Sequence, residues 1–180
     1  MRSLGDFTGA GYDKGRPVTH QIAWYAVQNL VFRKWWLPAR LRPPLLRAFG
    51  AQIGPGVLIR SGVRVHWPWK LEIGPNTWVG EGAWLLNLEP VRLGHDVCVS
   101  QEALLCTGSH DRRSPTFEFD NAPIVVDDGA WVATRAVVLR GVRIGREAVV
   151  AAGVVAAADV PDRAVLHATG LRTAGAGPAA

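Results

Sequence analysis

Cysteine is scarce in this chain: Cys98 and Cys106 are the only two among 180 residues. A small secreted domain held by disulfides would carry more of them, so both are read as reduced thiols of a cytoplasmic protein. Long apolar runs are missing too. Residues 1–20 are polar and Gly-rich, without the apolar core of a signal peptide. The most apolar early stretch, residues 22–32, contains Gln28 and Asn29 and runs into Arg33 and Lys34, too short to span a bilayer. Charged residues are only 19% of the chain, and their net excess of +5 is uneven. Residues 1–50 hold eight cations against two anions, a net +6, while residues 51–180 hold twelve against thirteen, a net −1. The body is near neutral and carries no recognition motif, which excludes a nucleic-acid partner. What is plentiful is apolar residues at 48%, with 20 Gly, 12 Pro and 8 Trp, the composition of one folded domain with many tight turns.

The apolar residues follow a period of six. Aliphatic side chains stand at Ile53, Ile59 and Val65, at Ile73, Val79 and Leu85, and at Leu93, Val99 and Leu105. After a gap they resume at Val126, Val132, Val138, Ile144 and Val150. Four residues after each start comes Val, Ala, Thr or Ser, except at Trp69 and Glu89, and Gly often follows the start directly, as at Gly54, Gly74, Gly80, Gly94 and Gly145. A hexad with one large aliphatic and one small residue fits a prism whose faces are short parallel strands. The aliphatic fills the interior, the small residue lets the chain turn the corner, and Gly is expected to take the strained backbone there. Three hexads make one coil, and coils stack about 4.8 Å apart.

The phase slips locate the insertions. The steps from 53 to 73 and from 73 to 93 each add two residues to eighteen, and the step from 93 to 126 adds fifteen. Every insertion follows the third hexad, so all leave from one corner, and residues 111–125 form a long loop there. Ahead of the coils, residues 19–36 read as an amphipathic helix with Thr19 as N-cap, and residues 43–49 as a second helix ending at Gly50. These helices are expected to cover the open edge of the first coil. Trp24, Trp35 and Trp36 beside Arg33, Lys34, Arg40 and Arg42 also suit peripheral contact with an anionic membrane, on its inner face. The expected units are an arm and cap over 1–52, the coils over 53–161, and an extension over 162–180 that leaves the coils and ends in a disordered tail.

His110 is the candidate for chemistry. It closes the third hexad of its coil, directly before the long loop, in Thr107-Gly108-Ser109-His110-Asp111. An imidazole takes a proton from a hydroxyl near neutral pH, so a rigidly held histidine beside a loop suits a general base. A surface histidine without a chemical role is the other reading. Asn87 falls one coil below Thr107 and is expected to orient an acceptor together with Ser109 and Asp111; an asparagine closing a strand-end turn is its alternative.

The segments 93–111 and 128–153 resemble the active-site coils of hexapeptide-repeat O-acetyltransferases. The cap over 45–54, Trp67-Pro68-Trp69 and Asn87-Leu88 make the chain most similar to the colanic acid biosynthesis acetyltransferases within the wider galactoside/maltose/xenobiotic acetyltransferase family. The resemblance spans about residues 20–165 and implies an all-β fold, a left-handed parallel β-helix of about five coils with an N-terminal helical cap. It implies acetyl transfer from acetyl-CoA, without a metal, to a hydroxyl of a sugar or glycan precursor. His110 would be the base, its other ring nitrogen held by a backbone carbonyl, with no acyl-enzyme. The donor would lie along Trp131, Ala133, Thr134, Ala151, Ala152 and Ala157, in a homotrimer whose sites fall between subunits. Small residues at prism corners and a core or interface Trp131 remain the structural alternatives for these positions. The chain departs from the family at Ala156-Ala157-Ala158 and at His167–Arg172, leaving Arg172 and Arg146 to hold the adenosine phosphates.

Two other readings compete. A γ-type carbonic anhydrase would need three convergent histidines, and His66, His95 and His110 fall in different columns of the repeat. A non-catalytic hexapeptide scaffold is the other alternative, given the altered C-terminal motif.

Overall fold

The structure is a computed structural model and describes residues 3–173. Its body is a solenoid of parallel strands on three faces, with sheets of five, seven and five strands. The first face aligns Ile53, Ile73, Leu93, Val126 and Ile144. The second aligns Ile59, Val79, Val99, Val132, Val150 and Leu166. The third aligns Val65, Leu85, Leu105, Val138 and Ala156. These columns are the hexad starts, and apart from the half-buried Leu166 all are buried in one continuous core. A period of six therefore becomes a filled interior, because each side chain sits on the one a coil below.

Two features of the coils differ from the sequence expectation. The left-handed backbone falls three residues after the hexad start, for example at Gly56, Asn76, Asp96 and Glu147, and not at the glycine beside the start. That glycine answers a different demand, close approach between coils. A Cβ on Gly74 would lie 2.6 Å from backbone atoms of Gly94. The coils also continue past Pro161. Ala164–His167 pairs in parallel with Val149–Val150, adding part of a sixth turn, before Gly170–Thr173 folds back antiparallel on it. The tail expected at 174–180 lies outside the described residues.

The N-terminal helices close the bottom of the stack. Helix Val18–Val27 continues as a π-turn over Gln28–Phe32. It begins behind Pro17, whose carbonyl accepts the first bonds from His20 and Gln21, so Thr19 lies inside the helix and does not cap it. The second helix spans Arg42–Ala48. Their side chains satisfy the exposed edge of the first coil. Trp24 Nε1 donates to the Val65 carbonyl at 2.9 Å, and the Val65 N–H donates to Gln28 Oε1 at 2.7 Å. Arg47 binds the Ile53 carbonyl at 2.9 Å, and Arg42 reaches the carbonyls of Phe32, Lys34 and Ile59. Trp24 and Arg42 are both buried, which removes them from the membrane-facing set expected from sequence.

Candidate active site

The long loop is not splayed outward. Residues 107–111 and 118–122 pair antiparallel: Asp111 N–H donates to the Glu118 carbonyl, Asp120 N–H to that of Ser109, and Ala122 N–H to that of Thr107. His110 bridges Phe119 in this ladder. The return strand is held further by Asn121, whose Oδ1 accepts from Ser109 N–H at 3.0 Å, and by an ion pair between Asp120 and Arg140.

This folding fixes the imidazole. Its Nδ1 is 2.7 Å from the Phe117 carbonyl oxygen, an acceptor only, so Nδ1 carries the proton and donates. The neutral ring then has its lone pair on Nε2. Phe117 stacks on the ring at 4.3 Å with an interplanar angle of 6°, and Phe119 stacks at 5.1 Å. Phe7, from the N-terminal arm, meets it edge-on at 5.6 Å.

The arm runs over this hairpin. Ser3 N–H donates to the Pro115 carbonyl, and the N–H and hydroxyl of Thr8 both donate to Glu118 Oε1 at 3.1 Å. The Thr8 N–H holds the Glu118 carboxyl below its usual range. Tyr12 packs edge-on to Phe119 and is hydrogen-bonded to the Trp67 indole.

His110 lines a polar cavity of about 600 Å³ with Ser109, Asp111, Arg112, Arg113, Phe119, Asp120 and Arg140. A second cavity of about 290 Å³ shares Ser109 and Arg140 with it and extends to Leu139 and Ala157. A groove of about 740 Å³ on the first face is larger, but no histidine, cysteine or serine lines it. Chemistry is better served by the smaller polar cavity.

Ser109, Asp111 and Ala157 are thus gathered around His110 as expected, with Asp111 Oδ1 already accepting from Arg113 N–H at 2.8 Å. Asn87 is not. It is 0% exposed, and its amide is used by backbone: Oδ1 accepts from His66 and Trp67 N–H at 3.0 Å, and Nδ2 donates to the carbonyls of Trp67 and Lys70. Its side chain closes the turn of the coil below and has nothing left for an acceptor. Trp131, Ala133 and Thr134 lie on or just past the second face, and Ala151 and Ala152 follow that face one coil higher. His110 is at the corner between the third and first faces, so one chain keeps these residues across the prism from it. Trp131 is 48% exposed, its indole donating to Ser100 Oγ at 2.8 Å. Arg172 sits on the final antiparallel strand opposite Val165.

Sequence reasoning missed Arg140 and the arm. Arg140 was within reach of the repeat arithmetic, because Cys106 aligns with Leu139 and hence Thr107 with Arg140. The arm carries no periodic signal. Among the described residues no group of three or more His, Cys, Asp or Glu side chains could hold a metal ion.

No family model matches the chain. It is 40% identical over 156 residues to the colanic acid biosynthesis acetyltransferase WcaF of Escherichia coli (strain K12), covering 84% of each sequence. Among solved structures it is similar to a hexapeptide-repeat acetyltransferase of Vibrio cholerae O1 biovar eltor complexed with acetyl-CoA. That match has a TM-score of 0.80 at 22% identity, over 92% of both chains. It is also similar to a maltose O-acetyltransferase of Clostridium difficile 630, with a TM-score of 0.75 at 19% identity, over 97% of this chain and 96% of that one.

Proposed function

The chain belongs to the family of the colanic acid biosynthesis acetyltransferases, and from that premise we propose that it moves the acetyl group of acetyl-CoA to a hydroxyl of a sugar or glycan precursor. The observation that carries this reading is the bond from His110 Nδ1–H to the Phe117 carbonyl, which leaves Nε2 as the base. Nε2 takes the acceptor's hydroxyl proton, and the oxygen attacks the thioester carbonyl carbon. Backbone N–H groups near the hairpin steady the tetrahedral oxyanion. Its collapse breaks the C–S bond, and the departing CoA sulfur takes the proton back from the imidazolium. Transfer is direct, and Ser109 and Asp111 orient the acceptor.

The donor would run along Trp131, Ala133, Thr134, Ala151 and Ala152 of a neighbouring copy, because in one chain these residues stand away from His110. Trp78 and Trp131, 58% and 48% exposed on the second face, supply apolar surface for such packing. A homotrimer is therefore part of the reading, and a monomer in light scattering at micromolar concentration would contradict it. Ala157 belongs with the His110 cavity, and Arg172 and Arg146 are left to hold the adenosine phosphates. The free thiols Cys98 and Cys106 fit a cytoplasmic location.

The test is release of CoA thiol from acetyl-CoA in the presence of a panel of sugar acceptors. His110→Ala is expected to lose at least about a hundredfold in kcat. Undiminished turnover in that variant removes the assignment and leaves a non-catalytic scaffold.

A further inference from the structure

At the bottom of the solenoid, residues 33–36 form a turn between two buried anchors, Phe32 at 0% and Leu37 at 8% exposure. The backbone of this turn is held from both sides. Arg42, 2% exposed, donates to the Phe32 carbonyl at 3.1 Å and to the Lys34 carbonyl at 2.7 Å, while Gly62 N–H donates to the Arg33 carbonyl at 2.9 Å. A turn so firmly tied could bury its aromatic residues, yet Trp35 is 85% and Trp36 52% exposed. Leu30 and Leu41 beside them are 68% and 45% exposed.

Cations surround these side chains. Arg33, Lys34 and Arg40 make no ion pair among the described residues. Like charges crowd here: Arg33 and burial lower the Arg64 guanidinium, and burial and Arg60 lower that of Arg42. Throughout residues 1–50 the only acidic side chains are Asp6 and Asp13. Rigid indoles with unpaired cations around them match the boundary of an anionic bilayer, where the ring sits among headgroups and the cation meets phosphate. A protein surface that took both would need carboxylates set around an apolar pocket.

We propose that this end of the solenoid docks on an anionic lipid surface through Trp35 and Trp36, with Arg33, Lys34 and Arg40 over the lipid phosphates. His110 lies two coils above the first, about 10 Å higher along the stack, so docking leaves its cavity open toward a bilayer-borne acceptor. The inference does not depend on the acetyl-transfer reading.

The test is co-sedimentation of the full chain with phosphatidylcholine vesicles containing about one third phosphatidylglycerol, against phosphatidylcholine alone. Binding to the anionic vesicles only is expected, weakened at least about fivefold in Trp35→Ala/Trp36→Ala and lost in Lys34→Glu/Arg40→Glu. Both variants should keep wild-type melting and CoA release, because none of these side chains holds the fold or touches the His110 cavity. Equal binding to both vesicles, no binding, or undiminished binding by the variants overturns the proposal. So does a smaller oligomer in Trp35→Ala/Trp36→Ala, which would make the patch an interface between copies.

Discussion

Replacing Asn87 by alanine separates a structural from a catalytic role with unusual clarity. The amide serves four backbone groups. Two of these have second partners: His66 N–H also donates to the Leu85 carbonyl, and the Trp67 carbonyl also accepts from Lys70 N–H. The Trp67 N–H and the Lys70 carbonyl depend on Asn87. Each orphaned group costs about 1–3 kcal/mol where water cannot reach it, so the loss is about 2–5 kcal/mol. At about 2–4 °C per kcal/mol for a chain of this length, the melting temperature should fall by roughly 5–20 °C. Measured well below that transition, kcat/KM should stay within about threefold of wild type, since Asn87 touches no part of the His110 cavity. Asn87→Asp should fare no better: its oxygens can accept from the two N–H groups but cannot donate to the two carbonyls. An alanine variant of unchanged stability with a tenfold or greater loss of kcat/KM would refute this reasoning.

Gly74→Ala forces a Cβ to 2.6 Å from the Gly94 backbone, so the coils must separate locally; a loss of at least about 3 kcal/mol in chemical denaturation is expected, with no comparable cost at the open Gly153. Phe7→Ala removes the edge contact on His110 and Phe119. An aromatic pair is worth about 0.5–1.5 kcal/mol, so kcat should drop about 2- to 10-fold while thermal melting moves little. Burial, reinforced by Lys70 and Lys14, pushes the His66 imidazole down to about 4. Between pH 6.5 and about 4 the unfolded chain therefore binds a proton that the folded chain refuses, and stability is lost as pH falls through that window. Melting followed from pH 7.5 to 4.5 should show a shallower acid decline in His66→Gln than in wild type.

The interior was legible because a solenoid makes core positions periodic. Ile53, Ile73 and Leu93 could be assigned to one column by counting, as could the shared corner of every insertion and the place of His110 beside the longest. The glycine rule was half legible: the sequence marked Gly74 as special, but only the stacked backbone shows that crowding, not left-handed geometry, requires it.

The site itself drew on contacts that no period announces. Thr8 and Glu118 are 110 residues apart, and their meeting brings the arm and Phe7 onto the hairpin. Trp24 and Trp35 read alike in the sequence, yet one is sealed against Val65 and the other stands in solvent, because only the first reaches an unsatisfied strand edge. Asn87 likewise suited an acceptor or a turn until its four backbone partners were placed around it. By itself the sequence determined the repeating core, the corner and the histidine, since a regular lattice of short strands turns position in the chain directly into position in space. The tautomer of His110, the cover over its hairpin and the distance between it and the expected donor residues were decided by tertiary structure, because each depends on segments far apart in the chain and outside the repeat.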